Sequence, residues 1–593
     1  MAVVWLLVHA ISLVGMWGIY QLWLPTLSFA HVDGAIFFGI CAVVILVNGG
    51  LWFIEEFDGA AFIPAGIVFV VCLVLLAAGS FFGGALFNAE TMHKQLGKVE
   101  DIEYQDMIVQ IDTSQIPIVD EQLAEKQADK KIGEDIALGS RIDLGDAAIQ
   151  DVNGEIIWVA PLKHSGFWKW RSNRSTPGYM TVSASNPNKV EFVTKIDDEY
   201  LDIQYQPSAY FGNDLKRYIR SNGYRTVGLT EYTFEIDDTG RPFWVVTTYK
   251  NTTWWNNGEA TGVVIVDAQD GEIEWYSVDD TPDWVDIIQP KDFIENQINN
   301  WGELVHGVFN WANTDKIKKT YRTLTVYMDG DCYYFTGMTS VGADNSCVGF
   351  ILVNTRDKST YMSYMSGATE DAAMSSAMGL VSDFGYGSTE PLPINVNGIP
   401  TYVMALKDGE GLIKNYAMVN IENYSIAAKG TTLEETKRAY MQKVAQESST
   451  YAFSDEAYGY TFEGKVERIS SVVENGSTQY YMILEGQVDK IFTASYTVSN
   501  ELAITREGDT VKVEYVDDQN GTISIVSFDN IAFAETVSEK QEVRDEMDKG
   551  TSALDSEYAQ IIEVNPEMNE DVWNSLTDEE KAKLIEEILG KSE

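Results

Sequence analysis

Histidine and cysteine are scarce in this chain: five His and four Cys among 593 residues. The histidines (His9, His31, His93, His164 and His306) are scattered, and no His-x-x-x-His or Cys-x-x-Cys pair occurs. A zinc site therefore has no support. No Gly-rich phosphate loop follows a strand pattern, because Gly409-Glu-Gly411 reads as a hairpin loop that contains an acid. A Gly-x-Ser-x-Gly elbow is also missing. Positive charge is short, with 42 Lys and Arg against 89 Asp and Glu, a formal net charge of −47. Phosphate binding needs clustered cations, so nucleic acid is not an expected partner. No catalytic residue, cofactor or metal is assigned, and the chain is not expected to be an enzyme. With so many carboxylates, a pair such as Asp279 and Asp280 carries no meaning alone.

The first 87 residues contain no Lys or Arg. What they do contain is three apolar runs, Val3 to Leu24, Ala35 to Ile54 and Ala61 to Phe87. Each has the ~20 residues that a bilayer core demands. The acids Asp33, Glu55, Glu56 and Asp58 fall in the short connections. Trp5, Trp17, Trp23 and Trp52 suit interfacial anchoring. These features predict a transmembrane domain of three helices over residues 1–92, a multi-pass cell-membrane location and a lipid bilayer partner. Lys94 and Lys98 alone follow the third run, which leaves the side of the membrane open. Gly79 and Gly83 form a small-xxx-small face, read either as packing among the three helices or as an oligomer contact.

Beyond residue 115 the chain repeats with a period of roughly 80 residues. A turn followed by an aromatic occurs four times: Asn153-Gly154 with Trp158, Thr239-Gly240 with Trp244, Asp329-Gly330 with Tyr334, and Asn397-Gly398 with Tyr402. Asn-Gly and Asp-Gly between apolar runs are strong hairpin signals, since both positions adopt positive φ. A later strand ends each time in Val plus a short polar residue: Val182-Ser183, Val266-Asp267, Val353-Asn354 and Val419-Asn420. Amphipathic helices are expected before the copies, over Asp120–Lys131, Ala209–Ser221, Pro290–Val308 and Glu370–Ser382. Each unit then reads as a helix plus a four-stranded antiparallel meander, an α+β layer. The repeats fall at 115–195, 196–288, 289–367 and 368–431.

The helix-plus-hairpin unit, and Gly262-Val-Val-Ile-Val-Asp-Ala-Gln-Asp-Gly-Glu-Ile-Glu-Trp-Tyr276 within it, resemble PepSY-type domains. That resemblance implies a binding or regulatory module without catalytic residues, generally outside the cytoplasm. The first unit also resembles a segment of uncharacterised bacterial multi-pass membrane proteins, which implies no activity. A helical linker is expected over 432–457. Residues 458–533 resemble a small OB or SH3-like barrel, through Phe462-Glu-Gly-Lys-Val466 and the Gly508-Asp509 turn before Val511. Its acidic strands (Glu463, Glu467, Glu514) argue against nucleic acid. Residues 534–593 read as an acidic helical tail, with a capping box at Thr577-Asp578-Glu579-Glu580.

The candidate interface residues lie in loops between the second and third repeat strands: Phe167, Trp168 and Trp170, and then Trp254 and Trp255. Tryptophan in a polar loop suits an interface hot spot or a ligand platform. Packing between repeats or subunits and contact with a membrane interface are the rival readings. Cys332 and Cys347, the only pair outside the apolar runs, are read as a candidate disulfide or as two free thiols. The expected function is that of an extracytoplasmic envelope scaffold. Its repeats would build a stalk and assemble as a homo-oligomer or with other envelope proteins. The rivals are a sensor or regulator with cytoplasmic soluble domains, and an envelope hydrolase using loop carboxylates.

Overall fold

The structure is a computed structural model. It describes residues 2–56, 62–108, 116–134, 142–328, 330–342, 346–447, 460–474, 477–496, 498–517, 522–533 and 570–589. The chain divides into two compact units, Met1–Lys443 and Val444–Glu593.

The first unit holds four antiparallel meanders. Their strands are Ala148–Val152, Glu155–His164, Tyr179–Ser183 and Val190–Val193 in the first module, and Gly228–Ile236, Pro242–Thr253, Asn256–Asp267 and Ile273–Ser277 in the second. The third is Leu324–Met328, Asp331–Ser340, Gly349–Asn354 and Thr360–Ser363. The fourth is Leu392–Val396, Ile399–Lys407, Ile413–Asn420 and Ala427–Gly430. The hairpin turns sit where the Gly signatures stand: Asn153 and Gly154 take φ of +55° and +82°, Asn397 and Gly398 +53° and +81°. Asp329 lies outside the described residues.

The two sequence signatures are one contact. Across the central pair of strands, Trp158 lies opposite Val182, Trp244 opposite Val266, Tyr334 opposite Val353 and Tyr402 opposite Val419. A one-residue slip would turn each aromatic to the other face, so this pair fixes the register. The polar residue after the Val closes the next turn. Asp267 Oδ1 accepts from Gln269 and Asp270 N–H, Asn354 Oδ1 from Arg356 and Asp357 N–H, and Asn420 Oδ1 from Asn423 N–H. These are Asx turns.

One residue further on, each module ties in the segment that leads to its helix. The carbonyls of Ala184, Ala268, Thr355 and Ile421 accept from Val119, Tyr205, Gln289 and Ala368 N–H at 2.7 to 3.0 Å. In three modules the signature aromatic completes the tie from its polar tip. Trp158 Nε1 donates to Val119 O (2.7 Å), Trp244 Nε1 to Tyr205 O (2.8 Å) and Tyr334 Oη to Gln289 O (3.0 Å). In the fourth the buried Tyr402 Oη has no hydrogen-bond partner among the described residues. The helices that follow are Glu121–Gly133, Leu215–Ser221, Lys291–Glu303 and Glu370–Gly379. Asp120, Asp214 and Thr369 cap three of them through their side chains. The second helix is shorter than the sequence pattern suggests, because Asp214 caps at residue 215 and Phe211–Asn213 form a separate 3₁₀ turn.

The helix-side face of each sheet buries its own helix, and its other face meets the next module, the connector or the closing helix. Val159 and Tyr179 of the first module join Leu215, Ile219, Trp244 and Val246 of the second in one core. Val245, Val263 and Ile265 meet Val285 and Ile288 on the way into the third. Phe335, Phe350 and Leu352 meet Tyr402, Met404 and Ala373 of the fourth. The last open face is covered by the helix Leu433–Glu447, whose Tyr440 Oη lies 2.9 Å from Thr401 Oγ1. The segment expected as a linker thus starts as a cap, the usual need of a stacked repeat. The modules do not extend as a stalk. Lys407 of the fourth bonds Asp120 at the first module's helix, and Lys126 donates to Glu410 O.

The N-terminal expectation needs correction. The apolar runs form helices Ala2–Trp23, Val32–Glu56 and Phe62–Phe82. Among the described residues, however, no helix is long and apolar enough to cross a membrane. A span needs ~20 continuous apolar residues, and the first two helices carry polar residues inside their apolar runs, among them His9, Ser12 and Asn48. Polar groups within them are engaged with protein: Ser12 Oγ donates to Asn48 Oδ1 at 3.0 Å across the first two helices. The fold class of a three-helix membrane anchor and the multi-pass cell-membrane location are overturned on this ground; strands that cross a membrane are a separate matter. Trp17 and Trp23 are exposed helix residues, and the side chains of Trp5 and Trp52 lie outside those described. The chain then runs into the modules: Val99–Asp101 pairs in parallel with Thr360–Ser363, and Leu96 is buried in the third module's core.

The second unit contains a closed five-stranded barrel of Tyr460–Glu474, Ser477–Leu484, Ile491–Ser495, Thr510–Asp517 and Thr522–Asn530. The strands close in the order first, second, third, fifth, fourth, with the third and fifth parallel, a Greek-key path like that of an OB barrel. Val466, Leu484, Phe492, Val513 and Ile523 fill it. In the tail, Thr577 and Glu580 cap each other's backbone N–H groups at 2.9 and 3.4 Å.

The tether predicts unequal effects of one substitution. Tyr334→Phe strands the buried Gln289 carbonyl and should cost about 1–2 kcal/mol. Tyr402→Phe removes a hydroxyl that has no partner and should stay within about 0.5 kcal/mol of the parent. Denaturant unfolding of the full chain measures both, and equal losses would refute the tether.

Candidate functional site

The interface residues expected from sequence separate into two places. In the second module, Trp254 and Trp255 form the two-residue tip between Thr253 and Asn256, and Trp254 takes φ of +54°. A bulky residue in that region is an outlier. The tip is occupied within the chain. Trp255 Nε1 donates to Phe29 O at 3.0 Å, and its ring lies against Gly79 so closely that a Cβ there would stand 2.7 Å from the ring. A Cβ on Gly83 would stand 3.0 Å from Asn256 Nδ2. The glycine face therefore receives an indole rather than another helix, which spacing along one helix cannot reveal.

The same module holds the turn after the first helix. The buried Arg220 donates to Tyr224 O and Val227 O at 2.7 Å and to Thr26 Oγ1 at 3.0 Å; Arg217 reaches Gln21. Leu27 N–H donates to Arg225 O at 2.7 Å. His31 packs edge-on to Tyr249, and burial holds its imidazole below the ordinary value.

The cysteine pair does not bridge. All four cysteines are free. Cys332 sits near the start of strand Asp331–Ser340, whereas Cys347 Sγ lies beside Gly337. Five residues of strand separate them by about 17 Å, against the roughly 7 Å between Cα atoms that a disulfide permits.

The first module's loop is different. Gly166, with φ of +101°, ends the long strand and starts the short helix Phe167–Ser172. The neighbouring 3₁₀ turn brings up Tyr210 and Phe211, two residues that the sequence pattern had assigned to a helix. The loops are tied by His164 N–H to Ser208 Oγ (3.1 Å) and by the Thr176–Ile203 backbone pair (2.9 and 3.0 Å). Burial lowers the His164 pKa, so this ring is neutral near pH 7.

Trp170 is the buried hub, 3% exposed, with Phe167, Tyr210 and Phe211 ring centroids at 5.9, 5.5 and 5.8 Å. Around it Trp168 is 79% and Phe211 65% exposed. The Arg174 guanidinium lies 5.6 Å above Trp170. Residues 163–178 include Lys163, Lys169, Arg171 and Arg174 and no acid, which stands out in a chain of net charge −47. Clustered exposed aromatics beside arginine are the composition of an interface centre. The signal for the missed half was Tyr210-Phe211 directly before the Asn213-Asp214 cap.

Among the described residues, no group of three His, Cys, Asp or Glu could hold a metal ion.

No family model matches the chain, and no curated protein does. Among solved structures, a Bombyx mori GH32 β-fructofuranosidase aligns at 11% identity over 68% of this chain and 70% of its own, with a TM-score of 0.16. A B. megaterium levansucrase variant aligns at 11% identity over 72% and 95%, with a TM-score of 0.17. These glycoside hydrolase-like neighbours are too dissimilar in fold for any activity to be carried over.

The docked Trp255 gives a test. Gly79→Val should push the indole away and destabilise the first unit by about 1–3 kcal/mol. Gly84→Ala, whose Cβ would meet nothing nearer than 3.8 Å, should leave stability unchanged. Thermal unfolding of the two variants decides, and the contact is refuted if they match.

Proposed function

We propose that this chain is a non-catalytic binding and scaffolding protein. Its four PepSY-like modules form the frame, and the aromatic patch of the first module is the docking face. The observation that carries this reading is the exposed pair Trp168 and Phe211 on the buried Trp170, flanked by Arg171 and Arg174. Aromatic faces supply area at small entropic cost, and arginine binds carboxylates in paired geometry. The partner that fits is a protein surface rich in Asp and Glu with an apolar side chain at its centre. A second copy of this chain offers such a surface, given its 89 acidic residues. Two copies also repel through their net charge of −47, so the attraction at the basic patch is local, and salt screens both.

The test is the solution mass of the full chain by light scattering across concentration. The expected result is self-association that rises with concentration. In Trp168→Ser with Phe211→Ser the dissociation constant should rise about thirtyfold, equivalent to ~2 kcal/mol. Arg171→Glu should act mainly on the salt dependence. A chain that stays monomeric at every concentration, or variants that associate like the parent, would reject the reading.

A further inference from the structure

Two buried carboxyl groups stand where the first three modules meet. Glu235 lies near the end of strand Gly228–Ile236, and Asp286 lies in the segment that enters the third module. They are 4% and 8% exposed. From the first module, Asp151 N–H donates to Asp286 Oδ2 at 2.7 Å. Gln150 bridges the backbone of Ile236, accepting from its N–H at 3.0 Å and donating to its carbonyl at 2.6 Å. From the third module, Tyr327 Oη donates to Ile149 O at 2.9 Å and also lies against the Asp286 carboxyl. Thr355 Oγ1 donates to Asp286 O at 2.6 Å. Thr233 Oγ1 donates to Glu235 Oε1 at 2.8 Å and the Asp286 backbone N–H also bonds this carboxyl group, while Glu235 Oε2 is buried with no hydrogen-bond partner of its own among the described residues.

The charged and titratable groups that face the pair are Asp151, Tyr327, Cys332 and Arg356. Arg356 is the one cation among them, and its guanidinium is engaged by the carbonyls of Thr281, Pro282 and Val285. Neither buried carboxyl therefore has an ion-pair partner among the described residues. Burial first, and then repulsion from Asp286, pushes Glu235 up to about 8; burial pushes Asp286 up to about 7. A carboxyl that keeps its proton can donate to a neighbouring oxygen, whereas two buried anions would repel each other.

We propose that this three-module seam is a proton-operated joint, closed while Glu235 and Asp286 are protonated and loosened when they ionise. The sign follows from linkage. Both folded-state values lie above the ordinary carboxyl range of ~4. The unfolded chain therefore loses these protons first as pH rises. The seam's stability is fully present below about pH 4 and declines through the folded-state values. The device acts on the orientation of the first module against the second and third, and the fourth module is outside it.

Hydrogen exchange of the full chain at pH 6, 7.5 and 9, corrected for intrinsic rates, tests this. Peptides covering Ala148–Val152 and residues 285–289 should lose at least tenfold in protection from pH 6 to 9. Strand Ile399–Lys407 should keep its protection. Glu235→Gln and Asp286→Asn, which cannot ionise, should flatten the response. Protection that is independent of pH would overturn the joint. So would an equal fall in both variants, or a fall in step with the fourth module. The parent profile decides alone should a variant fail to fold.

Discussion

The first unit depends on one repeated contact: an aromatic on the second strand set opposite a valine on the third. That pair fixes which residues face the helix. The carbonyl two residues after the valine holds the segment that leads to the helix, and the aromatic's polar tip bonds that segment again in three modules. Register, helix placement and loop position are therefore coupled. A change at Trp244 reaches the helix Leu215–Ser221 both through Tyr205 and through the core that Trp244 shares with Leu215 and Ile219. Buried N–H and O–H groups of large aromatics usually find partners, and here the partner is an otherwise orphaned loop carbonyl.

The stacking of modules follows from the same geometry. A sheet with a helix on one face leaves the other face apolar, and the next module covers it. Two interfaces use that solution, the connector at Val285 and Ile288 covers the second module's sheet, and the helix Leu433–Glu447 ends the series. The seam around Glu235 and Asp286 departs from it, since carboxyl groups occupy a place that packing alone would fill with hydrocarbon. The patch around Trp170 departs in the other direction. There, the large apolar side chains of Trp168 and Phe211 stay in water.

Legibility in the sequence varied by element for physical reasons. Hairpins were readable because Asn-Gly turns and period-two alternation are local. The helix expected over Ala209–Ser221 was too long because amphipathic spacing does not see that Asp214 caps the chain at residue 215. The three N-terminal runs were read as spans by counting apolar residues, a count that ignores the Ser12–Asn48 bond and the docking of the following turn on Arg220. Cys332 and Cys347 looked like neighbours across a loop, and the strand between them keeps them apart.

The sequence by itself determined the local units: where turns fall and which residue pairs set the register. These depend on φ preferences and on spacings of a few residues. Only the tertiary structure decided which of the aromatic loops is occupied. Trp255 and Gly79 are distant in sequence yet in contact, whereas Trp168 and Phe211 are gathered from two segments and left exposed. It also decided that Glu235, Asp286 and Tyr327 share one buried seam. Such meetings depend on how three modules pack, and no pattern along the chain records that.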